Sequence, residues 1–358
     1  MTDDSRSLFR DELRSARPYV VGGTGASRAK LNQNESPFDL PDGLKQRLAE
    51  RLQSIPFNRY PAEQPGELAV AAAEYAGVHP SSVLVSHGSN EFVHSLCLAF
   101  VDPRSQVVLP TPMFALFSNV VKLFGGHVRE VPCRSNLTYD VAAVCDAVAD
   151  ARLAILACPN NPTGKDLSFD AIRSILDAAN GMTVIDEAYW EFTDRRSAVA
   201  LLEDYPRLIV MRTLSKAFGI AAMRIGYAVA RPDVIDQLMK VRLPFMVDPF
   251  AEQVGVAVLA ERSTLLDRVN TIKASKRSLQ DALGRIEGVD VVSSETNFVL
   301  FRTPHDADTI RTGLESRGVA ARSMSGYHEL KRYLRVNAGT EGENRIFVDA
   351  LKSALDAL

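Results

Sequence analysis

Cysteine is scarce and scattered: Cys97, Cys133, Cys145 and Cys158 are the four in 358 residues. No two form a CxxC pair, so neither a zinc site nor a disulfide framework is expected, and a reducing compartment suits the chain. Long apolar runs are also missing. No stretch of about 18 apolar residues could cross a bilayer, and the N-terminal "MTDDSRSLFRDELRSARPY" is charged where a secretory signal would be apolar. A cytoplasmic location is expected. Neither sign of charge dominates, because 41 Lys and Arg against 44 Asp and Glu leave a formal net charge of -3. Such a balance offers no field for nucleic acid or a membrane surface. Two glycine motifs fall short of nucleotide fingerprints. "GGTGAS" (22–27) is followed by Arg28 where a third glycine should stand, and "PTGKD" (162–166) lacks both the upstream glycine and the Ser/Thr of a phosphate-cradling loop.

A chain of this length suggests two cores rather than one. From about residue 80, short apolar runs at 82–86, 106–110, 127–131, 152–157, 182–187, 207–213 and 225–230 read as strands. Segments with apolar residues at helical spacing lie between many of them, at 89–101, 113–124, 140–150 and 168–179. This is the α/β pattern of a mostly parallel seven-stranded sheet between helices. Residues 249–286 contain no strand candidate and read as a helical connector. Beyond them, strands at 289–292, 297–301, 319–322 and 333–337 with helices at 306–317 and 341–357 predict a smaller α+β unit. The expected division is a large domain over 45–270 and a small one built from 271–358 plus an N-terminal arm, 1–44.

Several polar residues stand where strands end. Lys216 sits in "TLSKAFGIAAMRIGY", a charged amine within an otherwise apolar segment, with Arg224 eight positions on. Asp186 ends the apolar run "MTVIDE", and Tyr189 follows it. Asn161 lies in "CPNNPTGK" after another strand, and "SHGSNEF" repeats the arrangement of strand, glycine and helix start around Gly88, Ser89 and Asn90. Open α/β sheets place ligand-contacting groups at this carboxyl edge. Taken one at a time, each has an ordinary reading: a solvated lysine, a turn of Asn and Pro, a helix cap.

Together the segments "NESPF", "NRYP", "HGSNE", "CPNNPTGK", "DEAYWEF", "TLSKAFGIAAMRIGY", "ETNFVLFR" and "YLRVNAGT" resemble, in order and over nearly the whole chain, the fold-type-I pyridoxal-phosphate enzymes of the class I/II aminotransferase family. The resemblance implies pyridoxal 5′-phosphate as cofactor. Lys216 would condense with its aldehyde and shuttle a proton; Asp186 would keep the ring nitrogen protonated; Asn161 and Tyr189 would bond the ring's phenolic oxygen. Phe114 of "TPMFALF" occupies the stacking position, often a tyrosine in the family. Gly88, Ser89, Asn90, Thr213, Ser215 and Arg224 would hold the phosphate, joined by Tyr60 of "NRYP" from a neighbouring subunit, which implies a homodimer with shared sites.

On the substrate side the resemblance supplies Arg335 of "YLRVNAGT" as an anion clamp. The short length, the opening "LNQNESPF" with Asn34, and Arg322 thirteen residues before Arg335 most resemble the histidinol-phosphate aminotransferases. Tyr19 of "ARPYVVGG" matches a tyrosine that contacts the substrate phosphate there. Aromatic-amino-acid aminotransferases and threonine-phosphate decarboxylases share most of these motifs, so the amino donor stays open among them. Small-molecule amino and keto substrates and a second copy of the chain are the expected partners, with no metal, nucleic acid or membrane.

Overall fold

The computed structural model describes residues 5–16 and 27–358. In chain order its strands are β1 (Ala29–Lys30), β2 (Val83–His87), β3 (Gln106–Thr111), β4 (His127–Pro132), β5 (Leu153–Ala157), β6 (Met182–Asp186) and β7 (Leu208–Thr213). They continue with β8 (Ile225–Ala230), β9 (Asp290–Val292), β10 (Phe298–Arg302), β11 (Val319–Ala320), β12 (Arg322–Ser323) and β13 (Tyr333–Asn337). Seven of them form one sheet in the order β2-β8-β7-β6-β5-β3-β4. Within it only β8 runs against its neighbours.

The central strands are largely apolar because both faces are covered. Alternate residues enter separate cores: Ala154, Leu156, Ile185, Leu208 and Val210 pack on one face. Leu153, Ile155, Val184, Ile209 and Met211 pack on the other. Burying a Leu, Ile or Val side chain contributes about 1.5–3 kcal/mol, so these paired cores fix the register of the sheet. Because all strands but β8 point one way, the ends of β2, β3, β5, β6 and β7 and the start of β8 converge on a single edge.

A second sheet, β12-β13-β10-β9, is antiparallel, and β1 pairs with β11 in parallel alongside it. Phe301, Ile310, Leu334 and Phe347 lie in its core. Two details differ from expectation. Residues 319–322 serve two sheets, β11 pairing with β1 and β12 with β13, because the chain steps between them at Ala321. The connector at 249–286 is two helices, Pro249–Ala260 and Arg262–Gly284, broken at Glu261 with φ −97° and ψ 19°. Neither proline nor glycine marks that break, and the Glu261 carboxylate is held by Arg47 from a distant segment. Among the described residues no helix is long and apolar enough to cross a membrane.

Candidate active site

The converging edge gathers most of the polar residues singled out above. β2 ends at His87, opposite Ile225 of β8, so Gly88 and Arg224 emerge side by side. Gly88 has a left-handed φ of 76°, and a Cβ there would lie 2.6 Å from Arg224 Nη2. A Cβ on Gly226 would lie 2.4 Å from the backbone nitrogen of Ser89. Glycine is required at both positions for the guanidinium to close over the start of the helix Ser89–Phe100. No side chain caps that helix end. An uncapped helix N-terminus beside a guanidinium is a cradle for a phosphate dianion. Ser215 is buried nearby with its N–H on Thr213 Oγ1, while the Thr213 hydroxyl donates to the Ile225 carbonyl and so holds the turn.

Lys216 leaves this turn half-buried, its Nζ donating to the Gln33 carbonyl at 2.9 Å. Burial, then the neighbouring Arg335 cation, push its pKa down to about 8, against the opposing pull of Glu35. Asp186, at the end of β6, moves the other way. Burial raises it to about 6, only partly offset by an N–H bond from Ala188 at 3.1 Å, and adjacent Glu187 raises it further. Among the described residues no basic side chain offsets the rise, so the carboxylate has the environment of an anion whose cation is supplied from outside them. The pair, an amine that sheds its proton readily and a half-buried acid with no countercharge among the described residues, fits a cationic nitrogen ring bearing an aldehyde.

The second sheet brings the substrate-side groups. Arg335, in the middle of β13, donates through Nη1 to Asn161 Oδ1 and through Nη2 to the Asn32 carbonyl at 3.0 Å. Its guanidinium lies 5.3 Å from the centre of the Phe298 ring. Arg322 is the register partner of Arg335 across β12 and β13. Like charges directly opposite on a sheet repel, and an anion between them removes the repulsion. Asn34 is buried, with a left-handed φ of 54°. Its Nδ2 donates to the Tyr189 hydroxyl at 2.7 Å, its N–H to Asn337 Oδ1 at 3.1 Å, and its carbonyl accepts from Asn297 Nδ2 at 3.0 Å. Asn34 Oδ1 is buried without a hydrogen-bond partner, an acceptor left available at the site. The Tyr189 ring stands edge-on to Phe298 at 5.4 Å.

Phe114 follows β3 and is half-buried, its ring edge-to-face with Phe117 at 6.2 Å. Ser89 is half-buried and Asn90 exposed at the helix start. Tyr60 is not among the gathered groups: it is 85% exposed and stacks on Phe245 at 5.1 Å. Tyr19 lies outside the described residues. Sequence reading passed over Gln33, Asn297 and Asn337. All three stand inside quoted motifs, and Asn337 follows Arg335 by two on β13, a spacing that puts both on one face. No group of His, Cys, Asp or Glu suited to a metal ion occurs among the described residues.

Comparison with known proteins agrees with this geometry. The family described as "Aminotransferase class I and II" matches residues 28–351. A histidinol-phosphate aminotransferase of Chlorobium phaeovibrioides is 37% identical over 353 residues, covering 98% of each chain. Among solved structures, the histidinol-phosphate aminotransferase of Sinorhizobium meliloti in complex with pyridoxal-5′-phosphate superposes with a TM-score of 0.89 at 24% identity, covering 98% of both chains. An L-threonine-O-3-phosphate decarboxylase of Porphyromonas gingivalis reaches 0.82 at 25% identity, covering 92% of this chain and 99% of its own.

Proposed function

The chain belongs to the class I and II aminotransferases, and from that premise we propose that it transfers the amino group of L-histidinol phosphate to 2-oxoglutarate. The products are imidazole acetol phosphate and L-glutamate, a step of histidine biosynthesis, and the cofactor is pyridoxal 5′-phosphate. The observation that carries the reading is the placement of Lys216 between two cationic stations. On one side is the Gly88–Arg224 cradle; on the other is the Arg335 cation, which depresses the Lys216 pKa and pairs in register with Arg322. Near-full-length similarity to relatives named for this substrate supports the choice of donor.

Pyridoxal 5′-phosphate supplies an aldehyde for the amino group and a cationic ring that accepts the electron pair left when a Cα–H bond breaks. The chain does the rest. The helix start at Ser89–Asn90, Ser215 and Arg224 would hold the phosphate, Thr213 fixes the turn that carries Ser215, and Phe114 would stack on the ring. Asp186 holds a proton on the ring nitrogen, the partner its carboxylate lacks. The Tyr189 hydroxyl, held in place by the hydrogen bond it accepts from Asn34, would donate to the ring's phenolic oxygen beside Asn161. Lys216 Nζ, whose pKa is brought down to about 8 so that the neutral amine is within reach, would remove the proton from the substrate Cα. Arg335 and Arg322, with Tyr19, receive the substrate phosphate, and Arg335 receives a carboxylate when glutamate or 2-oxoglutarate takes its turn.

We place residues 45–270 in the cofactor-binding domain and the remainder on the substrate side. Two copies complete the sites, Tyr60 of each reaching the phosphate of the other. A cytoplasmic location suits cysteines that are all free. The test is a set of half-reaction spectra on purified, cofactor-loaded protein with histidinol phosphate, phenylalanine and threonine phosphate. Fast loss of the visible band with histidinol phosphate is the expected result. Faster conversion by phenylalanine, or release of carbon dioxide from threonine phosphate, would overturn the substrate assignment.

A further inference from the structure

Next to Asp186 lies a cluster of buried charges to which the reaction above gives no role. Glu187, next to Asp186, is completely buried. Its Oε1 accepts from Arg195 Nη1 at 3.2 Å and the Ala198 N–H at 2.8 Å. Its Oε2 accepts from Ser197 Oγ at 2.7 Å and from Arg212 Nε and Nη2 at 3.2 and 3.1 Å. Arg212, three residues before Ser215 on the lysine strand, lies with its guanidinium 4.3 Å from the centre of the Trp190 ring.

Arg195, with a side chain 8% exposed, carries the connection outward. Its Nε donates to Asp166 Oδ2 at 3.0 Å and its Nη2 to the Cys158 carbonyl at 3.0 Å. The same Cys158 residue donates its N–H to the Asp186 carbonyl at 2.8 Å. Cys158 and Asp166 are the two ends of the turn that presents Asn161. One guanidinium thus spans both ends of that turn and, through Glu187, the segment bearing Asp186. Inside the turn, Asn160 Nδ2 donates to the Pro112 carbonyl at 2.9 Å, joining it to the segment that carries Phe114.

Stability alone does not account for these ions. Burying each costs several kcal/mol, and replacing a buried ion pair by apolar side chains of equal volume is often neutral or stabilising. What the forked guanidinium supplies that a greasy cluster does not is fixed direction: Arg195 uses Nε, Nη1 and Nη2 toward three different segments.

Resting on the transaminase reading above, we propose that Arg195 is a positioning residue for transamination. Anchored on Glu187 and Asp166, it holds the Cys158 carbonyl and thereby sets where Asn161 stands relative to Asp186, Lys216 and Arg335. The role belongs to the side chain's shape as well as its charge, since an ammonium could pair with the carboxylates yet not reach all three acceptors.

The experiment compares wild type, Arg195→Lys, and the double variant Arg195→Met with Asp166→Asn, which removes the pair without stranding a buried carboxylate. Each is loaded with pyridoxal 5′-phosphate. Three quantities are read: the pH midpoint of the visible band, kcat per bound cofactor with histidinol phosphate, and the melting temperature of the cofactor-free chain. A displaced Asn161 changes the ring oxygen's hydrogen bond, so both variants should show a moved midpoint. Their kcat should fall by on the order of ten- to a hundredfold, the effect of a displacement of about 1 Å. Wild-type midpoint and kcat in the Lys variant, or in a folded double variant, overturn the proposal even if the melting temperature drops. Should the double variant not fold, the Lys variant decides. If wild type itself takes up no cofactor or does not turn over histidinol phosphate, the function assigned above fails instead.

Discussion

At the scale of single residues, the site works by setting two protonation states against each other. In the unfolded chain a lysine keeps its proton to about pH 10.4; folded, Lys216 keeps it only to about 8. Only the neutral amine condenses with an aldehyde, so the rate of pyridoxal 5′-phosphate uptake by the cofactor-free protein should rise steeply from pH 7 to 9. Arg335→Met, which removes a cation that disfavours the lysine charge, should move that rise to higher pH; stopped-flow growth of the visible band measures both. Asp186 supplies the opposite sign. Folded, its carboxyl holds a proton up to about pH 6, against about 3.9 when unfolded. Between those values the folded state binds more protons, so the cofactor-free protein should lose stability as pH rises from 4 to 6. The loss is about 3 kcal/mol at most for a shift of about two units. Denaturant midpoints of wild type and Asp186→Asn test this: stability should fall less steeply from pH 4 to 6 in the variant than in wild type, the remaining slope belonging to other buried acids such as Glu191. Lys216→Ala should retain no cofactor after borohydride reduction, and retention would mean that another lysine makes the bond.

At the scale of elements, the phosphate cradle is a contact between a helix start and a strand start, and two glycines control it. Gly88→Ala puts a methyl 2.6 Å from the Arg224 guanidinium and an alanine at φ 76°. The side chain can swing aside, and the backbone at φ 76° and ψ 156°, a region essentially confined to glycine, costs roughly 1–3 kcal/mol. The chain should therefore fold but bind pyridoxal 5′-phosphate about tenfold or more weakly, as equilibrium dialysis would read. Gly226→Ala is a different case, because its methyl meets the Ser89 backbone nitrogen at 2.4 Å. A backbone cannot swing aside, so the strand β8 must shift against β2, and the melting temperature should drop along with cofactor binding.

At the scale of the whole molecule, Tyr60 and Phe245 form an exposed aromatic pair, stacked on each other. Exposed aromatic clusters of this kind mark interaction surfaces. Sedimentation should find two 39.2 kDa chains associated, and Tyr60→Asp combined with Phe245→Asp should yield monomers that release the cofactor phosphate more readily. Dimers that persist in the double variant would place the interface elsewhere.

Much of this architecture was legible along the chain. β5 is apolar along its whole length and β8 carries no charge, because both faces are buried, and such runs declare themselves without any knowledge of their neighbours. Lys216, Asp186, Asn161 and Arg224 announced themselves as polar groups at or just beyond strand ends, and Arg335 as an arginine within a strand, in segments of recognisable spacing. The break at Glu261 and the division of 319–323 between two sheets were not legible, since each is settled by a partner far away in sequence. The same holds for function. Residue types and order determined which groups the chain possesses: an amine, an acid, and arginines for anions. Tertiary structure decided their chemistry, because the pKa values of Lys216 and Asp186 and the anchoring of Asn161 by Arg195 depend on burial and on charges brought close only by folding. Electrostatic energy varies with distance and dielectric, and neither quantity is written in the order of residues.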